Sequence, residues 1–154
     1  MGEVIYTQIK QKDGYITKLT QYVCPEKPKA SILILHGMAE HQKRYLSFAE
    51  YLVNQGYDVY IYDHRGHGTD KKLSELGFFA TVNGYQLVIQ DAITVSNYID
   101  QNNRCNKFLL IIAFHKCRFI RQNSISRGVR LVKSILCKCC HIGKQFKCSF
   151  FAHS

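Results

Sequence analysis

No aspartate or glutamate follows Asp100, although more than a third of the chain does; all 11 acids lie between Glu3 and Asp100. Residues 1–110 set 12 Lys and Arg against those acids, a balance of +1. The other nine bases, Lys116, Arg118, Arg121, Arg127, Arg130, Lys133, Lys138, Lys144 and Lys147, stand unopposed, so nearly all of the formal +10 belongs to the last 44 residues. The acid-free stretch also lacks the i to i+4 ion pairs that support solvent-facing helices. No apolar run reaches the 18 or so residues needed to span a bilayer. The segment Met1 to Lys10 lacks the basic region and apolar stretch of a signal peptide. Nor is there a paired-cysteine framework: the seven cysteines are an odd number, and Cys117, Cys137, Cys139, Cys140 and Cys148 crowd one end, which agrees with a reducing compartment. These absences lead us to expect a cytoplasmic protein with no transmembrane segment. Apolar residues at 46% and charged residues at 21% exclude disorder or a collagen-like class for the chain as a whole.

What is present up to Ile112 has a regular order. Ile5 to Ile9 and Ile16 to Val23 alternate as strands do, and Asp13-Gly14 between them is a turn pair, which predicts an opening hairpin. Cys24-Pro25-Glu26-Lys27-Pro28 is a rigid connector. Ser31 to Leu35, Val59 to Tyr62 and Lys107 to Ile112 are short apolar runs expected to be strands buried on both faces. Between them, Tyr45, Phe48, Ala49, Leu52 and Val53 recur at helical spacing before Gly56, a left-handed cap. Leu87, Val88, Asp91, Ala92, Val95 and Ile99 mark a second helix, started by Asn83-Gly84. Strands alternating with helices predict an α/β fold: a doubly wound parallel sheet fronted by an antiparallel hairpin. Beyond Ala113 neither period persists.

In open α/β sheets chemistry sits at the carboxyl ends of the strands. The first such loop reads Leu35-His36-Gly37-Met38-Ala39-Glu40-His41, running on to Arg44-Tyr45. The second reads Asp63-His64-Arg65-Gly66-His67-Gly68, and Gly77-Phe78-Phe79-Ala80, Asn83-Gly84-Tyr85 and Asp91 follow in order. Together these strings resemble the α/β-hydrolases of the monoacylglycerol lipase and lysophospholipase kind, close to the serine aminopeptidase S33 type. The resemblance covers residues 1–112 and implies carboxylic ester hydrolysis on a lipid ester. It places His36, Gly37 and Met38 in the oxyanion loop, with the Met38 backbone N–H stabilising negative charge on the ester oxygen. Asp63, His64, Arg65, Gly66, His67 and Gly68 become a structural loop rather than a metal site. In that family a small hydroxyl residue usually stands one position further on; here Thr69 follows Gly68 directly.

The third loop departs from the pattern. The strand ending at Ile112 should lead into Gly-x-Ser-x-Gly, whose glycines allow the strained elbow that presents a serine hydroxyl. Ala113-Phe114-His115-Lys116-Cys117 stands there instead, and the nucleophile expected near Phe114 is absent. Cys117 or His115 would need a partner acid later in the chain, and none follows Asp100. We therefore expect a partial hydrolase domain over residues 1–112 and a basic tail over 113–154, frame-disrupted or disordered, in a chain shorter than whole members of the family. The chain is expected to be inactive, and a non-catalytic binding or assembly partner is the alternative. No cofactor and no metal are expected. Cys137-Lys138-Cys139-Cys140-His141 and Cys148 could ligate zinc, but adjacent Cys139 and Cys140 fit zinc-knuckle spacing poorly. The tail's unopposed charge predicts polyanion binding without nucleic-acid specificity.

Overall fold

The computed structural model describes residues 3–105, 108–112 and 129–131. The opening hairpin pairs β1 (Val4–Lys10) with β2 (Ile16–Tyr22) in antiparallel register from Val4–Tyr22 to Lys10–Ile16. Its turn is closed by Gln11 N–H donating to the Tyr15 carbonyl (2.8 Å), with Gly14 at a φ of 86°. Next come β3 (Ser31–Leu35), α1 (Leu46–Asn54), β4 (Asp58–Tyr62), α2 (Gly84–Asn102) and β5 (Phe108–Ile112). A short β6 (Val129–Leu131) runs parallel to β5; the broken periodicity beyond Ala113 gives no sign of it. The sheet order is β1-β2-β4-β3-β5-β6, and the strands from β4 to β6 are mutually parallel.

Alternation along the central strands explains the two helical layers. Side chains one residue apart on a strand point to opposite faces. Ile32 and Ile34 of β3 and Val59 and Ile61 of β4 pack with Ala49, Leu52 and Val53 of α1. Leu33, Leu35, Tyr60 and Tyr62 pack with Val95 and Ile99 of α2 on the other face. Every residue of β3 and β4 is buried, as a strand covered on both faces must be. Helix α1 ends at the expected glycine: Gly56 has a φ of 85°, its N–H donates to the Val53 carbonyl (2.9 Å), and Tyr57 N–H donates to the Leu52 carbonyl (3.1 Å). That pair of bonds is a Schellman motif, which satisfies two carbonyls at the helix end.

At the amino end of the sheet Asp58 is wholly buried. It accepts from Cys24 N–H (2.9 Å) and from Arg104 Nε (2.9 Å) and Nη2 (2.7 Å). Arg104 Nη2 also reaches the Cys24 carbonyl at 2.8 Å. One guanidinium thus ties the segment after α2 to the start of β4 and to the Pro25–Pro28 connector. Burial of the Cys24 thiol pushes its pKa up.

Candidate functional site

Strand order locates the site. From β3 the chain crosses to β4 on one side, then returns through α2 to β5 on the other side of β3. The connections after β3 and β5 therefore diverge, and such a switch point opens a crevice at the carboxyl ends of those two strands. Leu35 pairs with Ile112, so β3 and β5 end level. The loop after β3 holds His36, Gly37 and Met38; the position expected for the nucleophile, near Phe114, lies outside the described residues, as do Cys117 and the Cys137–His141 cluster.

The first loop is held from inside. Gly37 N–H donates to Glu40 Oε2 (3.0 Å), and the same oxygen takes a short hydrogen bond from the Tyr45 hydroxyl. Burial and Glu40 together drive the Tyr45 pKa well above its ordinary value. The residue of this turn with left-handed backbone is Ala39, at a φ of 59°, although the sequence places its glycine two positions earlier. Met38 is exposed, and among the described residues nothing accepts a hydrogen bond from its backbone N–H.

The second loop packs directly on the first. His64 N–H donates to His36 Nε2 (3.0 Å), so the proton of the neutral His36 ring sits on Nδ1, which faces the Gly37 carbonyl at 2.9 Å. His64 Nε2 lies 3.2 Å from the His36 carbonyl and donates to it. The two rings meet edge to face with centroids 4.3 Å apart, and the His67 ring stacks on Phe79 at 5.6 Å. Burial lowers the His36 pKa, and burial followed by the neighbouring His36 lowers that of His64 to about 3. Asp63 accepts from Gln42 N–H (2.6 Å) and Nε2 (3.0 Å), while Gln42 Oε1 accepts from Thr20 (3.0 Å). The two loops and β2 thus form one hydrogen-bonded unit.

Arg65 is the deepest anchor. Only 4% exposed, it donates to both oxygens of Asp91 on α2, each at 2.7 Å, and to Asp13 in the hairpin turn at 2.7 Å. Its guanidinium also lies over the Tyr15 ring, 4.5 Å from the centroid. The two carboxylates hold Arg65 well above its ordinary pKa, and the hydrogen bond from Arg65 holds Asp13 below the usual carboxylate range.

Sequence reading placed both loops at the right end of the sheet, and the structure brings them together. It missed Asp13, Gln42, Asp58 and Arg104. A signal existed for the last two: Asp58 opens an apolar strand, and Arg104 is the one base between Lys72 and Lys107. Among the described residues no group of three or more His, Cys, Asp and Glu side chains is arranged to hold a metal ion, and no helix is long and apolar enough to cross a membrane.

The burial of His64 has a consequence for pH. A histidine kept neutral in the fold, with an unfolded-state pKa of 6.5, contributes stability that is intact above that value. The contribution is lost as pH falls from there toward about 3. Between pH 7 and pH 5 the loss is on the order of 2 kcal/mol for this one side chain. Melts of the wild type and of His64→Gln, whose amide can still donate to the His36 carbonyl, should therefore diverge on the acid side, with the variant flatter. Parallel curves would mean that His64 is not held neutral.

Comparison with known proteins follows the same geometry. The serine aminopeptidase S33 family model matches residues 26–112. A protein of Schizosaccharomyces pombe described as "Putative monoglyceride lipase" is 38% identical over 47 residues, which are 30% of this chain and 12% of that protein. Among solved structures, a lipase in an open form aligns with a TM-score of 0.63 at 24% identity. A thermostable carboxyl esterase from Bacillus coagulans, in complex with glycerol, aligns with a TM-score of 0.61 at 22% identity. Each structural alignment covers 71% of this chain and 36% of the other. These likenesses show the α/β-hydrolase fold for the first part of the chain, which spans little more than a third of those structures.

Proposed function

The chain belongs to the serine aminopeptidase S33 family of α/β-hydrolases, and from that membership we propose a scaffold built for carboxylic ester hydrolysis that does not itself catalyse it. Monoacylglycerols or lysophospholipids are the substrate class, in keeping with the monoglyceride lipase similarity. His36, Gly37 and Met38 form the oxyanion loop, with the unoccupied Met38 N–H as donor. Support for that role comes from the level ends of β3 and β5: this loop leaves the sheet at the same height as the end of β5, the point after which the family's nucleophile would be expected. Asp63 to Gly68 serve as the loop's structural support.

The observation that carries the inactive reading is the sequence after β5. Ala113-Phe114-His115-Lys116-Cys117 contains neither the serine nor the glycines of a nucleophile elbow. Without glycine the sharp strand-to-helix turn is strained, and without serine no acyl-enzyme forms on a hydroxyl. On this reading the hydrolase domain comprises residues 1–112 and the basic tail begins at 113, touching the sheet through Val129–Leu131.

The full chain should give no turnover of a short-chain nitrophenyl ester or of a monoacylglycerol above buffer. It should also take up no serine-directed phosphonate. Relative to an intact serine hydrolase the expected loss is roughly 10⁶-fold in kcat. Turnover that the phosphonate abolishes would overturn the proposal.

A further inference from the structure

The segment between the Asp63–Gly68 loop and α2 turns its large apolar side chains outward. Leu73 is 87% exposed, Leu76 48%, Phe78 58% and Val82 68%. Scattered exposed apolar side chains need no explanation, but several in one short loop do. Phe79, between them, turns inward onto His67. Gly77 N–H donates to the Gly66 carbonyl at 2.7 Å. The loop is therefore pinned at its inner side and displays the rest.

Charge identifies the occupant. Lys71 and Lys72 lead directly into the apolar stretch, and Lys43 and Lys71 line the same depression of about 220 Å³ at the loop's base, with Lys18, Asp63, Asp70 and His67. Lys18 is paired with Asp70 at 2.9 Å, and Glu75 is the one acid within residues 71–85. Lys43, Lys71 and Lys72 thus remain against two acids, Glu75 and Asp63, around an apolar protrusion, and the Asp63 carboxylate is held by Gln42 rather than by a lysine. An apolar tip with a cationic collar matches the interface of an anionic bilayer, where side chains enter the acyl boundary and ammonium groups meet phosphates.

We propose that residues 71–85 are a membrane-surface anchor, in which Leu73, Leu76, Phe78 and Val82 enter the interface of an anionic bilayer while Lys43, Lys71 and Lys72 contact its headgroups. Docking in this way sets the carboxyl end of the sheet, with the His36–Met38 loop, toward the lipid. The anchor does not depend on hydrolysis, so an active or an inactive chain docks alike.

The chain contains no tryptophan, so Phe78→Trp in the full chain provides a single fluorescent reporter. The probe is vesicles of mixed phosphatidylcholine and phosphatidylserine. The reporter is expected to shift to the blue on vesicle addition and to be quenched by bromine-labelled acyl chains. The nine bases after residue 110 will also attract such vesicles, but that attraction is screened in 1 M salt. Binding at 1 M salt should persist for the wild type and weaken at least about tenfold in Leu73→Ser/Phe78→Ser. Both positions are exposed, so the double variant should melt with the wild type. Three results would overturn the proposal: co-sedimentation with no blue shift, equal binding of wild type and double variant at high salt, or no vesicle binding at all. The first of these would assign the membrane contact to the tail.

Discussion

Replacing Arg65 with alanine is expected to lower stability by about 3–5 kcal/mol, because it strands the buried Asp91 carboxylate without a counter-charge. Asp91 lies within α2 and is 2% exposed, and both of its oxygens now accept from Arg65. The same change releases Asp13 and removes the guanidinium from the Tyr15 ring. The hairpin turn would then lose its tie to the loop after β4. For a chain of this length 1 kcal/mol corresponds to roughly 2–4 °C in Tm, so a thermal melt should fall by roughly 10 °C. Arg65→Lys should recover only part of this, since one ammonium cannot reproduce a planar fork that bridges two carboxylates. A melt within about 2 °C of wild type for the alanine variant would show that the three-way contact is not needed for folding.

Gly66→Ala should be almost as damaging, by a different route. Gly66 has a φ of 70°, and a Cβ built there would sit 2.3 Å from the Phe78 carbonyl oxygen and 2.8 Å from its carbon. Left-handed backbone costs a side-chain-bearing residue about 1–2 kcal/mol, and overpacking against rigid backbone adds about 1–3 kcal/mol. Gly14→Ala separates the two contributions. Gly14 has a φ of 86° with nothing within 4 Å of its built Cβ, so it reports the backbone cost alone. Urea denaturation of both variants should place Gly66→Ala clearly below Gly14→Ala; equal midpoints would mean that the 77–79 segment gives way without cost. Phe78 backbone crosses directly over Gly66 and leaves no room there for a Cβ.

The Arg65 contacts join segments 26 and 52 positions apart, and no local pattern in the sequence announces them. The burial of β3 and β4, the cap at Gly56, the two helices and the loops that carry His36 and His64 were all legible, because each follows from spacing within a dozen residues. Apolar runs of five bounded by turn residues become central strands, and a 3.6-residue period ending in glycine becomes a capped helix. The missing Gly-x-Ser-x-Gly after Ile112 is likewise a fact of the sequence, and it alone directs the proposal of an inactive scaffold.

Tertiary structure decided the rest. Asp13 and Arg65 are 52 positions apart, and Asp58 and Arg104 are 46. No local pattern records which arginine a buried carboxylate will meet. The choice is made when strand order brings the hairpin beside β4, and burial then requires that every charge find a partner. The outward turn of Leu73, Leu76, Phe78 and Val82 is of the same kind. In the sequence they are ordinary apolar residues before a helix; only the packing of Phe79 and Gly66 beneath them shows which side of the loop faces out.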